Sequence, residues 1–301
     1  MLEMKKEEIN KIIASAGELK KLHKQNSIPP LLDGKVLGMI FQKPSTRTRT
    51  SFEAGMFLLG GHAIYLDNQT SQMKRGEDNR DTALTLSQYT NGIMARVYEQ
   101  KTLEELSQYS TVPVINGLSN QLHPCQILSD LFTIHEHFGK TKEIELLYVG
   151  VPNNVSNSLA LASGLMGMHF TISAPSTFPP DKKIINEAKK LAKKSGGSIT
   201  TQTGIPEKKE LKKINIVYTD EWESMHMKLN EKMEKPLYAF QVNEKLLSNC
   251  APNSKMMHCL PASKGKEVNS TIMYGKKSLV WTQAQNRLYA QQALLLTLLR
   301  N

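Results

Sequence analysis

From Lys35 onward, short apolar runs alternate with longer amphipathic segments, and this alternation limits the possible folds more than any other feature of the chain. KVLGMIF reads as a strand, TSFEAGMFLLG as a helix, HAIYL as a strand and DTALTLSQY as a helix. GIMARVY, TLEELSQYS and VPVING continue the pattern, and QILSDLFTIHEHFG reads as a long helix ending at Gly139. The alternation then restarts with IELLYVGV, a helix through SNSLALASGLMGM, HFTISAP, EAKKLAKKSG, SITTQT, INIVYTD, KMMHCLP and SLVWTQ, the last expected as a strand. Strands separated by helices pair in parallel, because a parallel connection has to cross the sheet. The expectation is an α/β protein of two doubly wound parallel-sheet domains. The polar turn from Gly139 to Lys142 divides them into 1–139 and 140–282, and AQNRLYAQQALLLTLLR, within 283–301, is a helix apolar enough to be buried.

Composition excludes some function classes. No apolar run approaches the ~18 residues that would span a membrane, and 40% hydrophobic with 22% charged residues fits a soluble globular chain. The net charge of +10 comes largely from scattered lysines such as Lys189, Lys190, Lys193 and Lys194. No aromatic side chains interleave with them as stacking platforms, so a solvated surface is expected and no nucleic-acid partner. MLEMKKEEINKIIASAGELKK reads as an amphipathic first helix without the apolar core of a signal peptide. Cys125, Cys250 and Cys259 are an odd count with no CxxC pair. They point to neither a disulfide framework nor a thiolate zinc site, and a reducing cytoplasm is the default location.

In open α/β sheets, ligands sit outside the carboxyl ends of the strands. Polar residues crowd these ends: Ser45 to Arg49, Arg96, His123, Asn153 and Asn154, Asp220, and Cys259. These clusters imply one cleft between the domains. PSTRTRTSFE puts hydroxyls and two arginines on a helix start, where unpaired N–H groups and the positive dipole end favour an anion. The local alternative is a simple cap by Ser45 or Thr46, with the arginines paired to Glu53. Neither GxxxxGK[ST] nor a GxGxxG turn is present, which disfavours nucleotide and dinucleotide binding.

LHPCQILSD sets His123 and Gln126 three apart at a helix start, either as structural residues or as donors to a substrate carbonyl. No second His or acid sits at metal-ligand spacing, and His135 and His137 are expected at the surface. Cys259, in MHCLPA, is either a small buried hydrophobe or a reactive thiol that would need a nearby base. YTDEWESMH offers Asp220, Ser224 and Met225 after a strand, as turn chemistry or as a carboxylate facing an ammonium group.

As an ordered set, STRTRTSFE, ARVY, NGLSNQLHPCQILSD, NNVSNSL, DEWESM, HCLPA followed by GKEV, and QNR resemble the aspartate/ornithine carbamoyltransferase family, most closely its ornithine branch. The likeness runs from about Lys35 to the C-terminus. It implies transfer of the carbamoyl group of carbamoyl phosphate to the δ-amine of L-ornithine, giving citrulline and phosphate, with no metal or organic cofactor. It also implies a carbamoyl-phosphate domain, an amino-acid domain, a C-terminal helix returning to the first, and a homotrimer or assembly of trimers with sites at subunit interfaces.

By the same resemblance, Ser45, Thr46, Arg47 and Thr48 hold the phosphate. Arg96, His123, Gln126 and Arg287 contact the carbamoyl group or phosphate, and Gln72 reaches a neighbouring subunit's site. Asn154, Asp220, Ser224 and Met225 take the ornithine, with Cys259 and the Leu260 carbonyl near the attacking amine. Arg96, His123, Cys259 and Arg287 are the expected catalytic set, and Arg49 supports the helix start. The chain departs from the family pattern at Val151 and Pro152 in place of Asp-Gly, at His226 in place of a loop glycine, and at Gln285 in place of an acid. Alternatives are another amine acceptor (putrescine, aspartate or an N-acylated ornithine), a non-catalytic paralogue that keeps the fold, and nucleic-acid binding through the positive charge.

Overall fold

The computed structural model describes residues 4–223 and 228–300. The chain opens with α1 (Lys6–Lys24), β1 (Val36–Phe41), α2 (Thr46–Leu58), β2 (His62–Asp67) and a 3-10 turn at Gln72–Arg75. It continues through α3 (Asn79–Tyr89), β3 (Gly92–Arg96), α4 (Gln100–Tyr109), β4 (Val114–Leu118) and α5 (Pro124–Phe138). Next come β5 (Glu145–Val149), α6 (Asn154–Met166), β6 (His169–Ala174), α7 (Lys182–Ser195) and β7 (Ser198–Thr203). Short α8 (Lys208–Leu211), β8 (Ile216–Thr219), α9 (Glu231–Glu234), a 3-10 turn at Lys235–Phe240 and α10 (Glu244–Ser248) follow. β9 (Lys255–His258), α11 (Ser270–Met273) and α12 (Val280–Leu299) complete it.

Two compact units result. One comprises Glu7–Phe132 with Gln285–Asn301, so most of α12 belongs with the first half of the chain. The other comprises Met1–Lys6 with Thr133–Ala284. The first holds a four-stranded sheet in the order β2-β1-β3-β4, the second a five-stranded sheet in the order β7-β6-β5-β8-β9. Every pairing between these strands is parallel, as the alternation predicts. Burial follows position in the sheet. The inner strand β8 is buried at every residue, whereas the edge strands β2 and β7 keep exposed positions, since helices cover both faces of the inner strands.

α1 turns Ile9, Ile12, Ile13, Ala16 and Leu19 inward at helical spacing. SLVWTQ is not a strand: Ser278 makes one isolated bridge to Met256, and α12 begins at Val280, whose N–H is accepted by the Ser278 hydroxyl. A short apolar run fits either a strand or the buried first turn of a helix, and here the long apolar segment after it continues helically.

α6 lies against α7 so closely that no side chain fits at Gly164. A Cβ there would stand 2.4 Å from the Ala188 carbonyl oxygen, which is backbone and does not yield easily. In an open helix Gly→Ala stabilises by up to about 1 kcal/mol. At this crossing Gly164→Ala is expected to destabilise by about 1–3 kcal/mol instead. The check is a lowered urea midpoint at an unchanged denaturant slope.

Candidate active site

In the first unit the order of the sheet reverses direction between β1 and β3, so the crevice at their carboxyl ends is a topological switch point. Phe41 and Arg96 end these strands in register, and beside Arg96 the pairing with β4 shifts by one residue, with Gly117 as the extra residue on β4. After β1 the chain turns into α2. Ser45 is the N-cap, extended at φ −157° and ψ 115°, and its hydroxyl accepts from the Thr48 N–H at 3.2 Å. The cap reading of Ser45 is therefore correct, and it leaves the rest of the helix start available to an anion. No acid lies in the first turn of α2 to compete with one.

The two arginines of the motif separate in role. Arg49 donates from Nε to Glu53 Oε1 at 2.9 Å and stacks 3.7 Å from the Tyr65 ring centroid, which ties it to its own helix and to the neighbouring edge strand β2. Arg47 instead acts electrostatically on His123, as do Arg96 and Arg287. His123 stands immediately before Pro124, the first residue of α5, a position that suits proline because no intrahelical donor is lost. Its imidazole is buried, and its pKa is held well below the usual histidine value, first by burial and then by Arg287, Arg96 and Arg47. A neutral imidazole among three guanidinium groups is able to donate a hydrogen bond without adding charge.

Arg287 is 3% exposed and reaches across from α12. It donates Nη1 to Gln126 Oε1 at 2.7 Å and Nη2 to Thr48 Oγ1 at 3.0 Å. Neighbouring Asn286, fully buried, accepts from Lys20 Nζ at 2.8 Å. Cys125 is pushed up to about 11 by burial and donates to the Asn116 carbonyl, so it remains a thiol. The structure thus brings Ser45, Thr46, Arg47, Thr48, Arg96, His123, Gln126 and Arg287 into one unit. Gln72 lies apart on its exposed turn after β2.

In the second unit the switch point falls between β5 and β8. Asn153 caps α6 with a full capping box, its carbonyl oxygen accepting from the Val155 and Ser156 N–H groups. Its Nδ2 donates to Asp220 Oδ2 at 2.7 Å. Asp220 Oδ1 accepts from Cys259 Sγ at 2.9 Å and from the Glu221 N–H at 2.9 Å. Asn154, Asp220 and Cys259 therefore lie at neighbouring strand ends, and Asn153 is a member that sequence reasoning passed over in favour of Asn154. Its signal was present: an Asn followed three residues later by Ser at a helix start is a capping pattern.

Behind Cys259, His258 Nδ1 accepts the Leu260 N–H at 2.9 Å, which puts the imidazole proton on Nε2, facing Glu267 Oε1 at 3.3 Å. Both side chains are buried. Leu260 itself takes φ 61°, sparsely populated for a residue with a branched side chain, and that contact helps hold it there. Ser224 and Met225, with His226, lie outside the described residues.

Two departures from the family pattern acquire reasons. Val151 packs with Trp222 and Leu237, where a carboxylate would be desolvated, and its carbonyl accepts from the buried Tyr148 hydroxyl at 2.9 Å. Gln285 is exposed on α12, so the lost acid leaves no buried partner stranded. Asp220, His258 and Cys259 have ligand atoms within 4.8 Å of one another, a spacing that would suit a metal ion. Both His258 nitrogens are already engaged, so a metal would have to displace Leu260 or Glu267.

Two all-parallel α/β units, each with polar side chains converging on its switch point, define an enzyme of the open-sheet class, and the arginine-lined helix start suits it to an anionic substrate. Residues 1–136 match the family model described as aspartate/ornithine carbamoyltransferase, carbamoyl-P binding domain, and residues 142–298 match its Asp/Orn binding domain. The chain belongs to the aspartate/ornithine carbamoyltransferase family.

It is 42% identical to an ornithine carbamoyltransferase of Methanoculleus marisnigri over 99% of this chain and 95% of that one. It is 46% identical to the anabolic ornithine carbamoyltransferase of Pyrococcus furiosus, over 96% of this chain and 91% of that one. Among solved structures, ornithine carbamoyltransferase from Pyrococcus furiosus superposes with a TM-score of 0.94 at 45% identity, covering 98% of this chain and 94% of that chain. The anabolic enzyme from Campylobacter jejuni subsp. jejuni gives 0.90 at 37% identity, covering 98% and 96%.

His123 makes stability depend on pH with a definite sign. Its folded pKa is depressed below the ordinary ~6.5 of an unfolded histidine, so the unfolded chain binds the proton more readily. The contribution is complete above about pH 6.5 and is lost as pH falls toward the folded pKa, by at most about 1.4 kcal/mol per pH unit. Urea midpoints measured between pH 7.5 and 5 should fall less steeply in His123→Gln than in the wild type.

Proposed function

We propose that this chain transfers the carbamoyl group of carbamoyl phosphate to the δ-amine of L-ornithine, yielding L-citrulline and phosphate. The observation that carries the reading is the convergence of Arg47, Arg96 and Arg287 on a neutral, buried His123 beside the capped start of α2. Such a site suits a dianionic phosphate, and it places positive charge and N–H donors where a carbonyl oxygen becomes an oxyanion. The ornithine carbamoyltransferases of 42–46% identity support the choice of acceptor.

In this reading Ser45, Thr46, Arg47 and Thr48 bind the phosphate, while Arg96, His123, Gln126 and Arg287 face the carbamoyl group. Asn154 takes the α-carboxylate of ornithine and Asp220 its α-ammonium, with Ser224 and Met225 completing that pocket. The Cys259 thiol and the Leu260 carbonyl lie near the attacking nitrogen, and the hydrogen bond from Cys259 to Asp220 fixes the two groups together. Residues 1–139 are the carbamoyl-phosphate domain, 140–282 the amino-acid domain, and 283–301 the helix that returns to the first. The working enzyme is a cytoplasmic homotrimer or assembly of trimers, with Gln72 serving a neighbouring subunit's site.

The limiting difficulty is protonation. An alkyl amine with a pKa near ~10.4 is neutral in roughly one part in a thousand or less at pH 7, and only the neutral form attacks. Cationic arginines and loss of water favour release of that proton. The nitrogen lone pair then forms the C–N bond, the carbonyl electrons move to the oxygen facing Arg96, His123 and Arg287, and collapse expels phosphate, which takes the C–O bond pair and the surplus proton of the attacking nitrogen. No covalent bond to the protein is required, so alignment accounts for much of the rate.

Purified protein given carbamoyl phosphate should form citrulline from ornithine. Formation of none, with carbamoylation of putrescine or aspartate in its place, would overturn the assignment of the acceptor. Asp220→Asn, which removes the carboxylate facing the ammonium group, should lower kcat/KM for ornithine by about 10²-fold or more. The KM for carbamoyl phosphate should change little by comparison.

A further inference from the structure

Among the described residues, the donor half contains one buried acid that the reaction does not require. Asp130 lies on α5, one turn beyond Gln126 and two beyond His123, and is 0% exposed. Its Oδ1 accepts from Gln126 Nε2 at 2.8 Å. A carboxylate only accepts, so this contact decides which end of the Gln126 amide faces Asp130. The amide nitrogen must point to the acid, and the carbonyl oxygen is thereby turned to Arg287 Nη1, 2.7 Å away. The other terminal nitrogen of Arg287 reaches Thr48 Oγ1 in the first turn of α2.

The four side chains form a polarised line, Asp130 to Gln126 to Arg287 to Thr48, and none is more than 3% exposed. With little water to substitute, a flipped amide would set its NH₂ against the guanidinium and its oxygen against the carboxylate. Both contacts would be repulsive where the surroundings screen charge poorly. Asp130 thus makes one orientation of Gln126 far more favourable than the other, and Gln126 in turn sets where the Arg287 fork lies.

We propose that Asp130 is a positioning residue for the donor site, acting through the Gln126 amide to hold Arg287 where it meets the phosphate and carbamoyl oxygens. The role of those oxygens rests on the carbamoyl-transfer reading above, so the test has a readout that does not involve ornithine.

Asp130→Asn keeps the size of the side chain but is able to donate as well as accept, which removes one of the two contacts holding the Gln126 amide, leaves Arg287 alone to orient it and loosens the line. Inorganic phosphate binding, measured by calorimetry, is expected to weaken about tenfold in Asp130→Asn. Citrulline formation should show kcat lowered about tenfold or more, with the KM for ornithine unchanged within about twofold. Action through Gln126 predicts a non-additive cycle: in a Gln126→Ala background, Asp130→Asn should cost less than about twofold further in either measurement. Equal costs in both backgrounds, or phosphate affinity and kcat within twofold of wild type in Asp130→Asn, would overturn the proposal.

If wild type binds phosphate but makes no citrulline, the acceptor assignment fails while the cycle still decides the role of Asp130. A wild type that binds no phosphate overturns both. Should Asp130→Asn alone fail to fold, the exchange variant carries the test. Gln126→Glu should melt below the wild type, because it sets carboxylate against carboxylate, and Gln126→Glu combined with Asp130→Asn should recover most of that loss. A double variant melting no higher than Gln126→Glu refutes the polarity on which the proposal stands.

Discussion

A buried guanidinium organises the donor half of this protein. Arg287 has almost no access to water, and a charge in that position is tolerable only with acceptors on its N–H groups. Two of them come from elements far away in sequence: Gln126 near the start of α5 and Thr48 near the start of α2. The last helix therefore completes the charged cluster of the first unit. Thr48 serves twice, since its N–H satisfies the Ser45 cap and its hydroxyl satisfies Arg287. The same contacts that bury the charge fix the first turn of α2, where an anion would meet the unpaired backbone donors.

The two switch points have opposite electrical character, and that opposition matches the two substrates. The first gathers Arg47, Arg96 and Arg287 around an imidazole held neutral by burial and by their charge. A protonated histidine there would add a fourth positive charge, and the neutral ring donates just as well. The second centres on Asp220, one oxygen facing Asn153 and the other facing Cys259. Beneath it the buried His258 and Glu267 pair holds the backbone at Leu260, so the loop beside Cys259 is braced by side chains that need not touch a substrate.

The longer strands and helices, their parallel pairing and the polar strand ends were legible in the sequence because each depends on local periodicity. The pairing of Arg49 with Glu53 was legible for the same reason, being an i,i+4 contact within one helix. SLVWTQ was misread because its three apolar residues look alike at the end of a sheet and in the first turn of a buried helix. Asn153 was passed over because Asn153 and Asn154 are chemically identical, and only the start of α6 decides which one caps the helix and turns its amide to Asp220. Val151 looked like the loss of a functional acid until Trp222 and Leu237 were seen around it.

By itself the sequence determined the α/β class and the family, through the ordered motifs from STRTRTSFE to QNR, and with them the identity of the candidate site residues. Only the tertiary structure decided which of those residues share a charge or a proton. Local spacing reveals which face of a helix or strand a side chain takes, but contacts such as Thr48 to Arg287, Asp130 through Gln126 to Arg287, and Asp220 to Cys259 exist only after separate elements have packed. The neutrality of His123 has the same origin, since burial and the charges of three distant arginines act on it only in the folded chain.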